Sequence, residues 1–139
     1  MASMQCEIVS AEKEIFSGRI TKLSAVGTIG ELGILPGHAP LLTGVRPGPI
    51  HLTVEDGEDE IFFASGGFLE VQPGMVTVLA DTAIRADDID EASALKAKED
   101  AEKALDENAS EFDYGLAQAR LADAAAQQRT LEELRKYRR

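Results

Sequence analysis

The sequence predicts an α+β protein: an N-terminal β-sandwich of eight to ten short strands, followed by a C-terminal antiparallel two-helix hairpin. Within residues 1–86, short apolar segments alternate with turn residues every 8–12 positions, as in all-β sandwiches. From residue 87 onward there is no proline and one glycine, Gly115. Ala, Glu, Lys and Leu dominate there, and these are strong helix formers. We therefore expect two domains, residues 1–86 and residues 87–139.

The strands of the first domain follow from alternation and turn chemistry. Residues 5–9 form an opening strand, and residues 19–26 alternate polar with apolar as a half-buried strand does. Residues 50–54 alternate likewise, which points His51 outward, and the Asp56-Gly57 turn leads into a returning strand at 60–64. A Pro73-Gly74 turn joins the last two predicted strands, residues 68–71 and 75–80.

The first helix of the second domain begins within a run of acidic residues. Asp87 or Asp88 is the predicted N-cap, and Asp90 and Glu91 suit the positive end of the helix dipole. A narrow small-residue stripe then recurs at helical spacing: Ala94, Ala97, Ala101 and Ala104, with Leu105.

The second predicted helix follows a break at residues 107–113. Ser110 or Asp113 caps it, and it extends to about Lys136. Its apolar face, interrupted by Gln128, comprises Tyr114, Ala117, Leu121, Ala124, Leu131 and Leu134. Because the facing stripes are mostly alanine, their contact buries little apolar area, so the hairpin should open at modest cost. Extended as one rod, residues 88–136 would span roughly 70 Å.

The overall charge excludes one large class of function. The chain of 139 residues carries a net charge of -11, which disfavours nucleic acid as a partner. The charge is uneven: residues 1–86, 87–113 and 114–139 carry nets of -6, -8 and +3. Cys6 is the single cysteine and is predicted to be a core residue. We expect a soluble, cytoplasmic chain, since no apolar run approaches the ~18 residues of a membrane helix and no signal peptide is present.

No constellation of residues predicts an active site. His38 and His51 are the two histidines, on different elements and without further ligands at metal-binding spacing, and Asp88 with Asp90 lacks the rest of a calcium loop. Neither a nucleophile elbow nor a phosphate-binding loop is present. We therefore predict no catalytic residues, no metal and no enzymatic activity. On a stiff Gly-Pro loop, His38 is open to two interpretations, a structural one and an interface one.

The basic end of the chain also has two interpretations. Its cations can complement a helix dipole, or they can dock onto an acidic partner. They are Arg120, Arg129, Arg135, Lys136, Arg138 and Arg139.

Four stretches resemble the epsilon subunit of bacterial F-type ATP synthases. They are residues 30–42 (GELGILPGHAPLL), 65–73 (SGGFLEVQP), 76–85 (VTVLADTAIR), and the opening VSAE at 9–12 with FSG at 16–18. The resemblance covers residues 4–86 with agreeing spacings, and the helical tail has the family's length and position.

The resemblance implies a two-sheet sandwich that binds the gamma subunit of the central stalk and the membrane rotor ring. It implies that Gly30, Glu31, Leu32 and Gly33 meet the ring, with Ser10 and His38 at the gamma or ring interface. It further implies that the helices extend to the catalytic alpha and beta subunits and inhibit ATP hydrolysis, with the six basic residues making the inhibitory contacts. By the same resemblance the protein is peripheral, on the cytoplasmic face of the bacterial plasma (inner) membrane, and takes part in proton transport and ATP synthesis.

One motif departs from the family. Some relatives bind ATP through an Ile/Leu-Asp-x-x-Arg-Ala sequence, and the corresponding residues here are Ile89, Asp90, Ser93 and Ala94. Ser93 stands in the arginine position and offers no cation for a phosphate. We therefore expect weak or absent ATP binding and no cofactor. Two alternatives remain open: a structural stalk adaptor without inhibitory role, and a ligand-sensing regulatory module.

Overall fold

A computed structural model describes residues 2–106 and 111–137. Nine strands precede two helices, which confirms the predicted α+β class and strand number. The strands are β1 (Met4–Ser10), β2 (Glu14–Gly27), β3 (Gly30–Ile34), β4 (Leu41–Val45), β5 (Gly48–Val54), β6 (Asp59–Ala64), β7 (Gly67–Gln72), β8 (Met75–Ala80) and β9 (Ala83–Arg85). A 3₁₀ turn (Ala86–Asp88) follows, and then α1 (Glu91–Asp106) and α2 (Glu111–Tyr137).

The strands form two layers. The order β1-β8-β7-β4 makes the first layer and β2-β5-β6-β9 the second, with β3 paired to β2. Strand β2 belongs to both, because its first half pairs with β1 through the Met4–Ile20 register and its second half with β5 through Leu23–Leu52. The parallel pairing of β1 with β8 completes the first layer.

The core lies between the layers and is built by alternate residues of each strand. Cys6, Ile20, Leu23 and Phe62 are fully buried there, as expected for inward-facing positions of a sandwich. Burial raises the pKa of the Cys6 thiol to about 12, with a smaller contribution from Glu7. Cys6 is thus a core hydrophobe, as the sequence predicts.

Glycine is required at two kinds of position. Gly57 and Gly74 adopt φ of +95° and +77° in the two predicted hairpin turns, which L side chains rarely adopt. Gly67, with φ of +142°, starts β7 against β8, and a Cβ placed there would come within 2.0 Å of the Leu79 carbonyl oxygen. The Ser-Gly-Gly segment therefore positions the β7–β8 pair by close backbone approach.

The helices form an antiparallel hairpin, as predicted. The Nζ of Lys98 donates to Oε1 of Gln128 at 3.4 Å, and Arg135 near the end of α2 pairs with Glu91 at the start of α1. Ala94 and Ala101 of α1 and Ala117 and Ala124 of α2 are buried, whereas Ala97 is exposed. We call these four buried residues the alanine seam.

The cap of the first helix corrects the sequence prediction. Asp90, not Asp87 or Asp88, caps α1, because its Oδ1 accepts hydrogen bonds from the N–H groups of Ala92 and Ser93 at 3.1 and 3.2 Å. The hydroxyl of Ser93 donates to the same carboxylate at 2.8 Å, and these bonds lower the pKa of Asp90, the Ser93 hydroxyl contributing most. Asp87 and Asp88 belong to the 3₁₀ turn that precedes α1.

The start of α2 at Glu111 places Asp113 inside the helix, so the prediction of Asp113 as its cap is wrong. The other predicted cap, Ser110, lies outside the described residues. The side chain of Tyr114, predicted for the apolar face, also lies outside what is described.

Helix α2 lies between α1 and the sandwich. It packs on β5 and β6 on one side and on α1 on the other. Ala126 and Thr130 are fully buried, and helical periodicity puts them opposite Gln128 and Arg135, which face α1. They therefore face the sandwich, so α2 has a second buried side beyond the alanine seam.

Candidate partner-binding surfaces

The two outer faces of the sandwich differ in what covers them. The outer face of the second layer lies under α2, and we call it the arm face. Ile61 and Phe63 lie on it, outside the core between the layers, with exposures of only 5% and 1%. The outer face of the first layer carries no helix among the described residues. This asymmetry leaves the first layer available to another molecule.

The exposed outer face carries an apolar patch, consisting of Leu42, Phe68 and Leu79. These side chains are 67%, 57% and 52% exposed. Phe68 pairs directly with Leu79 on β8, while Leu42 of β4 pairs with Glu70, one side chain further along the same face of β7. Exposed apolar side chains grouped on one face of a sheet make this patch a candidate protein-binding surface.

Two predicted interface residues lie at one end of the sheet. Register pairs connect Ser10 to Ala80, Ala80 to Gly67, Gly67 to Val45, Val45 to Gly27, and Gly27 to Gly30. Next to Gly30, at the tip of the β2–β3 hairpin, Ile29 is 94% exposed. The N–H of Thr28 donates to the carbonyl of Gly44 at 3.3 Å, which fixes this tip beside the patch-bearing strand β4.

The remaining predicted interface residues are spread along and beyond β3. Glu31 and Gly33 are exposed and Leu32 is half-buried. His38 follows β3 in the chain, beyond the end of the strand opposite to Gly30, and is exposed. Its backbone N–H donates to the Leu35 carbonyl at 3.1 Å in a turn. The structure therefore brings Ser10 and Gly30 to one end and does not bring His38 to them.

A polar cleft separates part of the arm face from α2. It has a volume of about 490 Å³ and contains Glu31 of β3 as well as Arg129 and Glu133 of α2. His51 lies in it, with Nε2 2.8 Å from Oδ1 of Asp59. His51 thus points away from the core, as the alternation predicts, but α2 covers it. Glu31, predicted for the ring, faces the side of the sheet that carries the arm.

The predicted inhibitory cations do not form one cluster in this arrangement. Arg135 pairs with Glu91, and Nζ of Lys136 lies 3.7 Å from Oε1 of Glu133. Arg129 lines the polar cleft, and Arg120 lines a different groove. Arg138 and Arg139 lie outside the described residues. Within the described part of α2, extension of the helix would have to release at least the Arg135 pair with α1.

The groove that Arg120 lines runs between the two helices and three loops of the sandwich. Its volume is about 1140 Å³. Along it lie two residues of the segment that corresponds to the ATP-binding sequence of some relatives: Ser93, which is exposed, and Ala94, which is buried. Ile89 sits before α1, its N–H donating to the Ala86 carbonyl at 3.2 Å. Among the described residues, alanines and polar or charged side chains line the groove in similar numbers.

The charged side chains of this groove are mostly acidic. Three carboxylates line it, those of Asp81, Asp100 and Asp123, together with one described cation, Arg120. Burial raises the pKa of Asp123, an effect that a hydrogen bond from Gln127 only partly offsets. Because its folded-state pKa is raised, Asp123 opposes folding of the hairpin once the pH is above that pKa, and this penalty disappears as the pH falls below the unfolded value. The described charged side chains that line this groove are therefore net negative.

The arm face is the feature that sequence reasoning missed. Residues 61–64 (IFFA) form an uninterrupted apolar run without alternation, which is typical of a strand buried on both faces. That run is the signal that a further element covers β6. On α2 the corresponding residues, Ala126 and Thr130, carry little signal of their own, because one is small and the other polar.

Comparison with known proteins gives matches over both parts of the chain. Residues 3–86 match the family model described as ATP synthase, Delta/Epsilon chain, beta-sandwich domain, and residues 87–132 match that of its long alpha-helix domain. Among solved structures, a chain of the Euglena gracilis mitochondrial ATP synthase is similar with a TM-score of 0.84 at 22% identity, covering 92% of this chain and 81% of that one. A chain of the Tetrahymena thermophila mitochondrial ATP synthase, described as central stalk/c-ring, has a TM-score of 0.64 at 15% identity, covering 94% and 97%.

The described helices include none long and apolar enough to cross a membrane. The family matches together extend over nearly all of the chain, sandwich and helices alike, in the order that the fold shows. The chain belongs to the ATP synthase delta/epsilon chain family.

Proposed function

We propose that this chain is a non-catalytic central-stalk subunit of a bacterial, proton-translocating F-type ATP synthase. Residues 1–86 bind the gamma subunit and the rotor ring, and residues 87–139 form a regulatory arm that inhibits ATP hydrolysis. The protein is then peripheral, on the cytoplasmic face of the inner membrane. Family membership supports the assembly, and the Tetrahymena neighbour comes from a central stalk with its c-ring.

The observation that carries this proposal is the difference between the two outer faces. The chain covers one face with its own α2, whereas the apolar patch on the other is more than half exposed at each of its three residues. We assign the patch to the gamma subunit. The adjoining hairpin tip, with Ile29 and Gly30, is assigned to the ring, since it projects from one end of the sandwich. Glu31, Leu32, Gly33, Ser10 and His38 complete these proposed interfaces.

The inhibitory part of the proposal depends on the cations of α2. In the folded hairpin, Arg135 and Lys136 are held in ion pairs on the surface, which contribute little to stability. In an exposed pair of this kind, the cation can readily replace its carboxylate by an acidic residue of another protein. The acidic segments of the alpha and beta subunits are the proposed partners of the extended arm, with Arg120, Arg129, Arg138 and Arg139 contributing.

Ending the chain at Ala86 is expected to raise ATP hydrolysis by the reconstituted catalytic complex about fivefold or more, a typical size for regulatory coupling. Because this truncation uncovers Ile61 and Phe63, co-purification with the complex must first show that assembly is intact. A full-length variant with glutamine at positions 135, 136, 138 and 139 tests the cations separately, because it keeps the arm. Like the truncation, it should raise the rate of ATP hydrolysis.

Unchanged hydrolysis in both, with assembly intact, would instead support a structural adaptor whose arm braces the stalk. The Arg135 pair with Glu91, which joins the two helices of the folded arm, is the observation that favours this second function.

ATP is expected to bind weakly or not at all, with a Kd above about 1 mM. Ser93 is engaged with Asp90 and offers no cation, and the groove beside it carries three carboxylates against Arg120. Calorimetric titration of the purified chain with ATP should give no saturable heat. The variant Ser93→Arg, which restores the cation of the family motif, is the positive comparison. Saturable binding to the unaltered chain at submillimolar ATP would contradict this and favour a ligand-sensing module.

A further inference from the structure

The first layer of the sandwich has the formal charge of its strands on one side. The four strands, β1, β8, β7 and β4, contain two acidic residues, Glu7 and Glu70, and no lysine or arginine. Successive side chains of a strand point to opposite faces, and Cys6 and Leu69, which precede the two glutamates, point into the core. Both carboxylates therefore lie on the outer face, which carries no helix among the described residues.

The two glutamates lie in one row across the sheet, with a threonine between them. Glu7 of β1 pairs with Thr77 of β8, and Thr77 pairs with Glu70 of β7. We call these three residues, all half-buried, the acidic row. Because neighbouring strands lie about 4.8 Å apart, the backbones of Glu7 and Glu70 are about 10 Å apart. One basic side chain placed over Thr77 would therefore reach both carboxylates.

The folded chain supplies no counter-ion to the acidic row. Among the described residues, no ion pair or side-chain hydrogen bond engages any of its three side chains. Arg19, which pairs with Gln5 in the next row, donates instead to the Ser3 hydroxyl at 3.0 Å and lies 3.9 Å from Glu55. The two carboxylates of the row repel each other, and their partial burial reduces the screening of this repulsion by salt. The row is thus an electrostatic cost that the free chain does not offset.

The acidic row borders the apolar patch. Leu42 of the patch pairs with Glu70 itself, and Phe68 and Leu79 pair with each other two residues away along β7 and β8. A partner that covers the patch therefore also covers at least Glu70. Because a carboxylate that loses water without gaining a counter-ion is costly, such a partner has to bring a cation. Apolar contacts bordered by charged ones are also the usual arrangement of a protein interface.

We propose that the partner bound to the apolar patch places a lysine or arginine over Thr77, between the carboxylates of Glu7 and Glu70. This rests on the proposed function, which assigns the patch to the gamma subunit. The gamma surface then combines an apolar contact with a basic residue about 7 Å away, the length of two residues along a strand. Opposite charges on facing surfaces attract two proteins before contact and fix their orientation. The acidic row therefore speeds the docking of gamma and sets its direction on the sheet.

The test measures the association of purified gamma with the full-length chain by surface plasmon resonance at a series of salt concentrations. The double variant Glu7→Gln/Glu70→Gln removes both charges and keeps the shape of the side chains. Glu99→Gln/Glu102→Gln is the matched control, because it makes the same charge change at exposed positions of α1, which packs on α2 and not on the first layer. Urea unfolding of each variant checks the fold.

The double variant at the acidic row is expected to associate about tenfold more slowly at low salt and to show a weaker salt dependence. Its urea midpoint should stay the same or rise, because the change relieves the repulsion within the row. Glu70→Lys alone, which makes the same change in net charge at one position, should slow association by a similar factor. The control should associate at a rate close to that of the unaltered chain. The proposal is overturned if the double variant associates like the unaltered chain, or if the control slows association equally.

The gamma interface and the cation over the acidic row fail separately in this experiment. If gamma does not bind the unaltered chain, the assignment of the patch to gamma is refuted, and the cation with it. If gamma binds and Phe68→Asp weakens the complex while the double variant associates normally, the interface stands and only the cation is refuted. A second copy of this chain, through the basic end of its α2, is the competing occupant. Sedimentation velocity of the chain alone would reveal it as a dimer that the double variant abolishes, which would overturn the assignment of the row to gamma.

Discussion

Gly67→Ala is expected to destabilise the sandwich by about 2 to 5 kcal/mol, which combines backbone strain with overpacking. At φ of +142° an L side chain is strained, and the new Cβ would lie 2.0 Å from the Leu79 carbonyl oxygen and 2.9 Å from the Cα of Ala80. Those atoms are backbone of the adjacent strand, so relief requires β7 and β8 to separate. Both strands carry core residues, including Leu69 and Val78.

Urea unfolding followed by far-UV circular dichroism measures this change. Gly33→Ala is the matched control, because Gly33 has no positive φ and no heavy atom lies within 4 Å of the position that an alanine methyl would take there. Its midpoint should stay close to that of the unaltered chain. A Gly67→Ala protein as stable as the Gly33→Ala protein would show that β7 and β8 separate without cost.

Phe68→Asp is expected to weaken binding to the gamma subunit by about 2 kcal/mol or more, roughly 30-fold, the size of a hot-spot loss. Phe68 sits between Leu42 and Leu79 in the apolar patch, and a carboxylate there would be buried without a partner when gamma binds. Since Phe68 is 57% exposed in the free chain, the fold itself should tolerate the change.

Binding of purified gamma by calorimetry or surface plasmon resonance gives the measurement. Leu95→Asp is a suitable control, because Leu95 is comparably exposed, at 47%, but lies on α1 away from the patch. Equal losses in the two variants would point to nonspecific effects of added charge. Full affinity of Phe68→Asp would move the gamma interface elsewhere on the sandwich.

Local sequence signals were sufficient for most of the fold. Alternation predicted the strands around Leu23 and Leu52, and the Asp56-Gly57 and Pro73-Gly74 turns were predicted from residue chemistry alone. The switch to helix-forming residues after residue 86 predicted the hairpin. These features depend on contacts between near neighbours, which the order of residues specifies directly.

Features that depend on distant contacts were less predictable. Glu91 and Arg135 pair across 44 residues, so nothing near either one indicates the partner. Thr130 is polar yet fully buried, because its hydroxyl donates to the Ala126 carbonyl at 2.8 Å and needs no partner beyond the helix. Three aspartates within residues 87–90 compete as caps, and the 3₁₀ turn decides among them.

The double membership of β2 has a mechanical consequence. Its 14 residues pair with β1 in the first half and with β5 in the middle, so a single covalent strand crosses between the layers. Sliding one layer over the other would require breaking those backbone hydrogen bonds together, and the sandwich therefore resists shear as a unit. A twisting load applied at the apolar patch is then carried to the opposite layer through the backbone of β2 as well as through the packed core. Whatever turns this face of the molecule turns the docked arm with it.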